Sequence, residues 1–247
     1  MGKIAYRRGM RRFSPLLLLP LAFLPASCGP NAVSLESVIR EMATPAALCR
    51  LSGRSSEIAT SFDRSGNEND FSNYAFPPTP DGWQPLADFT GPGYLSRLWS
   101  TGADPETIRL RFRFDGEETP RLEGTLRELT DPETPSPLPV PPSPLAKAFT
   151  NLCHYSFAPL PFRKSLRVEA LVPEGKFYYQ LQAEHLADGE TIATFPGAYT
   201  EREKAALEET ARAWAAATGP RGDTVAPAPA ADAPVFAIPR RVHGTGK

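Results

Sequence analysis

From Ile108 to Phe114 the chain alternates strictly between an apolar side chain and an arginine. A period of two puts every apolar group on one face, which is the signature of a half-buried strand and excludes a helix. Asp115-Gly116 then ends the run as a turn signal. Leu166 to Val172 and Phe177 to Glu184 repeat the alternation, and Tyr94 to Ser100 reads as a short strand introduced by Gly91-Pro92-Gly93. Several short strands with turn signals between them predict a mostly β chain. The fold class expected is a jelly-roll β-sandwich with short flanking helices. In such a strand Tyr178 and Tyr179 point to opposite faces, so one is buried and the other lies near the surface. Arg109, Arg111 and Arg113 read as one solvated or interface face, not as a ligand site.

Two segments break the β pattern as helices. Leu35, Val38, Ile39 and Met42 recur at helical spacing after Ser34, and Thr44-Pro45 closes the run. Thr200 and Glu203 form a capping box, and Leu207, Ala211 and Trp214 share the face that follows. Gly219-Pro220 is its stop signal. Prolines number 28 and fall in clusters. Pro132 to Pro144 holds seven of them, which excludes a central strand and predicts a long surface loop. Asp223 to Pro234 is rich in Ala and Pro and reads as a linker. Arg221-Gly222-Asp223 matches an integrin-ligand tripeptide by chance.

The first residues carry an address. Arg7, Arg8, Arg11 and Arg12 precede an apolar run from Phe13 to Leu24, and Pro25-Ala26-Ser27 leads to Cys28. This is the layout of a secretory signal peptide, too short for a membrane span. Small residues before Cys28 resemble the bacterial lipobox, which makes Cys28 the expected lipidation site. The protein is then a lipid-anchored cell-envelope lipoprotein of the periplasm or outer membrane, with plain secretion as the alternative. The paired arginines also permit twin-arginine export. Cys49 and Cys153 remain, and in an oxidising compartment they are either a disulfide or two unrelated buried thiols. Three cysteines and three histidines without ligand spacing give no metal site, and no cofactor is expected. Charge is balanced at 27 basic against 28 acidic residues, which leaves no basic footprint for nucleic acid.

Five motifs occur in order between about Arg50 and Phe195. They are Gly53-Arg54-Ser55-Ser56 through Ser61-Phe62-Asp63-Arg64-Ser65-Gly66-Asn67-Glu68-Asn69-Asp70-Phe71; Gly91 through Thr101; Phe114-Asp115-Gly116-Glu117-Glu118-Thr119-Pro120 with Glu123-Gly124; Leu160 through Leu166; and Phe177-Tyr178-Tyr179-Gln180. Together they resemble glycoside hydrolase family 172, whose members act on α-D-fructofuranosides and D-arabinofuranosides. The resemblance implies a pair of jelly rolls, assembly into trimers or dimers of trimers, and a furanoside-containing glycan as partner. It also implies a retaining mechanism, in which two carboxyl groups about 5 Å apart attack the sugar and protonate the leaving oxygen. In the family both glutamates lie in the second half, in segments that do not occur here. The expectation is an N-terminal half with no catalytic residue of its own, from a truncated gene or a natural half-protein. The alternative is a cell-surface carbohydrate-binding or assembly module without hydrolase chemistry.

The expected division is a signal peptide over 1–27, an anchored segment with a short helix over 28–48, and a jelly roll over 49–197. A helix over 198–219 and a linker over 220–247, toward a second domain, complete it. The residues expected to bind substrate are Asp63, Arg64, Asn67 and Asp70, four polar groups in one turn-rich loop, together with Trp99. Carboxylate and guanidinium groups suit paired sugar hydroxyls. The competing role for that loop is structural, fixed by Asx-turn bonds. Where the family reads Asp-Arg-Thr-Gly-Gly-Asn, Asn67 replaces a glycine and is expected to take a positive φ, and Glu68 replaces a neutral donor with a charge. Trp99 either stacks on a sugar ring or packs in the core. Asp115-Gly116 reads as a hairpin turn, and Glu117 with Glu123 is set aside as a catalytic pair.

Overall fold

The computed structural model describes residues 31–44, 52–67, 69–71, 73–102, 104–136, 139–148, 153–172 and 176–217. Cys28, Cys49, the export signal, Gly219-Pro220 and the Ala/Pro-rich stretch lie outside the described residues. In chain order the elements are β1 (Ala32–Val33), α1 (Leu35–Met42), β2 (Ser55–Thr60), β3 (Gln84–Thr90), β4 (Gly93–Thr101), β5 (Arg109–Phe114), β6 (Leu122–Thr125) and α2 (Leu126–Thr130). There follow β7 (Ala146–Ala148), β8 (His154–Ser156), β9 (Leu160–Phe162), β10 (Ser165–Leu171), β11 (Tyr178–His185), β12 (Thr191–Ile192) and α3 (Glu201–Ala217).

The strands make a two-stranded parallel pair, β1 with β12, and two larger antiparallel sheets. The smaller runs β3-β10-β5-β6, and the larger runs β2-β11-β4-β8-β7 with β9 also paired to β4. Period-two alternation sets the register. Leu166 lies opposite Phe114, Val168 opposite Phe112 and Ala170 opposite Leu110, so all six point inward. They meet Leu95, Leu98, Tyr179, Leu181 and Ala183 of the larger sheet in one core. Tyr179 is buried and Tyr178 half-buried, as two neighbours on a strand must be. The chain is therefore a mostly β, two-sheet sandwich with a few short helices.

On the arginine face of β5, expected to be solvated or an interface, Arg109 is exposed but Arg111 is buried within the chain. Arg111 is only 6% exposed and Glu169, opposite it on β10, only 2%. Arg111 Nε donates to Glu169 Oε2 at 2.5 Å, Arg113 Nε donates to the same oxygen at 3.1 Å, and Arg167 Nε reaches Oε1 at 3.2 Å. A strap from Thr79 to Trp83 covers the pair. Trp83 packs its ring 4.2 Å from the Arg111 guanidinium, and Asp81 accepts from Arg111 Nη1 at 2.8 Å. A desolvated guanidinium needs such partners, and alternation alone could not reveal the covering strap. Burial by itself would raise the Glu169 pKa, but hydrogen bonds from Arg111 and Arg113 more than offset it and hold the carboxyl below its ordinary range. The Arg111 hydrogen bond, with Thr79, lowers Asp81 to about 2.

Asp115 does more than turn a hairpin. It holds φ 53° beside Gly116 at φ 82°, the pair of left-handed residues of a type I′ turn, closed by Glu117 N donating to Phe114 O at 2.9 Å. Its Oδ1 accepts from the backbone amides of Arg163, Lys164 and Ser165 at 3.0, 2.6 and 3.2 Å. Its Oδ2 accepts from the Thr194 hydroxyl. One carboxylate thus pins the β5–β6 turn, the β9–β10 turn and the segment after β12.

The helices follow their caps. Ser34 Oγ accepts from Ser37 N at 3.0 Å, and Leu35, Val38 and Ile39 form the buried stripe of α1. Thr200 Oγ1 accepts from Glu203 N at 3.3 Å while Glu203 accepts from Thr200 N at 2.7 Å, the capping box of α3. Thr210 Oγ1 donates to Ile39 O at 3.1 Å and Trp214 Nε1 to Met42 O at 2.8 Å, which binds α3 to α1. The proline-rich stretch departs from a plain surface loop. Its described residues form no strand, but Pro141 and Leu145 are buried. Pro139 and Val140 help wall a core cavity of about 20 Å³ with Leu98, Phe112 and Leu160. It is a cover over the sandwich edge.

Arg111→Met leaves Glu169 with Arg113 and Arg167, whereas Glu169→Met takes from three arginines the carboxylate they share. Glu169→Met is therefore expected to cost about 3–5 kcal/mol in urea unfolding, Arg111→Met less, and the double change less than Glu169→Met alone.

Candidate functional site

The two ends of the sandwich are unlike. At one end the strands are joined by two-residue turns at 91–92 and 163–164 and by the loop over 115–121. At the other lie the long 61–83 connection from β2 to β3, shorter connections from β4 to β5, β7 to β8 and β10 to β11, and helix α2. Binding residues gather where long loops are held by a rigid scaffold, and the sequence-derived candidates lie toward this long-loop end.

Asp63, Arg64, Asn67 and Asp70 follow directly from the end of β2. Ser61 fixes the exit, its N–H donating to Tyr179 O at 3.2 Å and its Oγ accepting from Tyr179 N at 3.1 Å. Asp63 is buried and its carboxylate serves the loop. Its Oδ1 accepts from Ser65 N at 2.8 Å and Ser65 Oγ at 2.6 Å, an Asx turn. Those two bonds, the hydroxyl first, hold its carboxyl below the ordinary range. Asp70 Oδ1 accepts from Asp63 N at 2.9 Å and ties the loop's far side back. Asn67 Nδ2 donates to Ser65 Oγ at 2.8 Å. The left-handed position expected at Asn67 falls one residue earlier, on Gly66 at φ 83°. Asp115 is the non-glycine residue with positive φ among the described residues, so Asn67 has no need of glycine's freedom. Arg64, Asn67 and Asp70 are exposed.

Aromatic packing stiffens the loop's base. Tyr74 stacks with Tyr179 at 6.2 Å between centroids, Phe71 meets Tyr178 edge-on at 6.0 Å, and Lys176 Nζ lies 4.6 Å from the Phe71 ring centre. Asn73 Nδ2 donates to Ser61 O at 2.9 Å across the loop's neck.

Trp99 is half-buried on the outer face of β4. Its neighbours across the sheet are Tyr155 on β8 and Gln180 on β11, and the same row continues to Lys147 and Thr60. Strands lie about 4.8 Å apart, so Trp99 stands roughly 10 Å from Thr60, where the Asp63 loop begins. The fold thus places Trp99 in the outer-face row that ends at Thr60, two strands from the start of the Asp63 loop. The Trp99 indole N–H donates to Cys153 Sγ at 2.9 Å, which fixes the ring. Cys49 lies outside the described residues, so the choice between a Cys49–Cys153 bridge and separate thiols is not described. Tyr155 carries no signal of its own in the sequence, and Gln180 stands there only as the end of the Phe177-Tyr178-Tyr179-Gln180 motif, with no site role. The alternation from Phe177 to Glu184 could have placed Gln180 on an outer face, but only the register sets it beside Trp99.

Glu117 pairs with Arg121, and Glu123 accepts from Arg109 at 2.9 Å, so neither stands as an uncommitted acid. Among the described residues no three His, Cys, Asp or Glu side chains converge to hold a metal, and no helix is long and apolar enough to cross a membrane.

Behind Trp99, His154 opens β8 opposite Ser100 of β4, the two being 1% and 2% exposed. His154 Nδ1 and Ser100 Oγ are buried without a hydrogen-bond partner. Burial lowers the His154 pKa, and the nearby Arg127 charge lowers it further. The folded state therefore holds the imidazole neutral, while the unfolded chain takes up a proton near pH 6.5. Its contribution is fully present above about pH 6.5 and is lost as pH falls through the lower folded value. Unfolding free energy measured stepwise from pH 7.5 to 5 is expected to decline, and His154→Leu is expected to flatten that decline.

A family model described as the GH172 first beta-sandwich domain matches residues 52–203, from just before β2 into the first turn of α3. No curated protein matches the chain.

Proposed function

The chain belongs to glycoside hydrolase family 172 through its first β-sandwich domain, and we propose that it supplies the sugar-contacting, non-catalytic half of an exported hydrolase acting on fructofuranosides or arabinofuranosides. The observation that carries this reading is the family match across residues 52–203, which covers the whole sandwich and its long-loop end. Arg64, Asn67 and Asp70 offer exposed hydrogen-bonding groups there, and Trp99 offers a ring face flanked by Gln180. Asp63 acts as the residue that shapes their loop. In this reading the nucleophile and the acid come from outside this polypeptide, because the two glutamate segments of the family do not occur in it. Assembly into a homotrimer or higher oligomer belongs to the same reading, as do the signal peptide over 1–27 and a lipid on Cys28.

Calorimetric titration of the purified chain with fructofuranosides and arabinofuranosides, paired with an assay for released sugar, tests the proposal. Saturable binding without release is the expected outcome. Trp99→Ala and Arg64→Ala are each expected to weaken binding about tenfold, or 1.4 kcal/mol. Release of sugar by this chain alone overturns its non-catalytic role and puts the acid pair inside it. Binding to neither sugar class, with the fold intact by circular dichroism, removes the sugar-contacting role and leaves an assembly module.

Export has its own readout. Expressed in a bacterium, the chain is expected in the membrane fraction as a form beginning at Cys28 with added acyl mass, and Cys28→Ser is expected to move it out of that fraction.

A further inference from the structure

One sheet edge lacks the usual protection against a further strand. The edge strand β3 carries Pro85, β6 runs straight into α2, and β7 is three residues long with Lys147 at its centre. Short strands, proline, lysine and a covering helix are the ordinary guards of an edge. Strand β2 has six residues, Ser55–Thr60, and neither proline nor lysine. It pairs with β11 on one side, and among the described residues no strand lies on its other side. Ile58 is 53% exposed on this edge and Phe62, just past it, 54%. The Ser61 N–H to Tyr179 O bond sets the phase of the ladder. Alternation then aims the backbone groups of Ala59 and Glu57 at β11, and those of Ser56, Ile58 and Thr60 outward.

We propose that the chain's own segment Val235-Phe236-Ala237-Ile238 pairs with this outward edge as an added strand. After α3 it is the one run of four apolar residues rich in β-branched and aromatic types, and Pro234 and Pro239 bound it. Its route starts close to the edge. Trp214, in the last turn of α3, bonds Met42 O, and the neighbouring Glu41 pairs with Arg54 at 2.7 Å, one residue before β2. Residues 218–234 can reach up to about 55 Å, far more than this path needs. Charge agrees as well. Arg240 and Arg241 follow the run, and Glu57 and Glu184 stand on β2 and its neighbour β11. Phe236 or Ile238, according to register, covers Ile58 and Phe62.

Hydrogen exchange by NMR on the full mature chain reads this directly. The amides of Ser56, Ile58 and Thr60 are expected to exchange at least about tenfold more slowly than in the variant Phe236→Asp/Ile238→Asp. The Ala59 amide, held by β11, is expected to stay equally protected in both and so to report an intact sandwich. Ala237→Pro removes a ladder donor and little apolar area, and is expected to release the same three amides. Equal exchange of those amides in wild type and variants overturns the proposal. Protection that rises with protein concentration also overturns it, and assigns the edge to a second copy of the chain.

Discussion

The two carboxylate oxygens of Glu169 hold three arginines on the outside of the smaller sheet, and the route of the longest connection depends on them. Oε2 takes Arg111 and Arg113 while Oε1 takes Arg167. Arg111 in turn recruits Asp81 and stacks beneath Trp83. The strap from Thr79 to Trp83 is thereby clamped to one sheet. The same β2–β3 connection is tied to the other sheet at its start, where Ser61 bonds Tyr179. A loop fixed at both ends, one on each sheet, can present Arg64, Asn67 and Asp70 in a defined place. Such a buried charge cluster adds little net stability over apolar packing. Its worth here lies in specifying where the strap goes.

Asp115 plays the matching part at the opposite end of the sandwich. Three backbone amides and a hydroxyl converge on it, so both of its oxygens are hydrogen-bonded. The tight-turn end is closed by backbone geometry and one carboxylate, while the long-loop end is left to side chains.

Much of this was legible from the sequence, because periodicity reports which residues face a core. The strands around Tyr94, Ile108, Leu166 and Phe177 and the helices at Leu35 and Glu201 all declared themselves by spacing and caps. Several things stayed hidden, and strand β2 is one, since Ser52 to Phe71 reads as a polar, turn-rich stretch with no apolar alternation. Strand β3 was concealed by Pro85, which argues against a strand unless it is known to lie at an edge. Helix α2 carried a readable capping box, Thr125 to Glu128, but its five residues are too few for a periodic signal. The burial of Arg111 depends on Trp83, distant from it in sequence, and no local pattern encodes that. At the site, the sequence named the loop and Trp99 but could not apportion their work. Asp63 turned inward to build the loop, Gly66 took the left-handed turn, and the alignment of Trp99 with Gln180 and Tyr155 belongs to register alone.

The pairing of β2 with β11 has a consequence for the order in which the molecule can form. Ser61 and Tyr179 are 118 positions apart, and contacts of such long range must wait for the entropy of closing a long loop. A chain that emerges from its N-terminus makes β2 early and its partner late. Through that interval both edges of β2 are bare. The sequence therefore passes through a stage in which its most exposed strand is also its stickiest, and holding that stage apart from other copies is a task for whatever handles the growing chain.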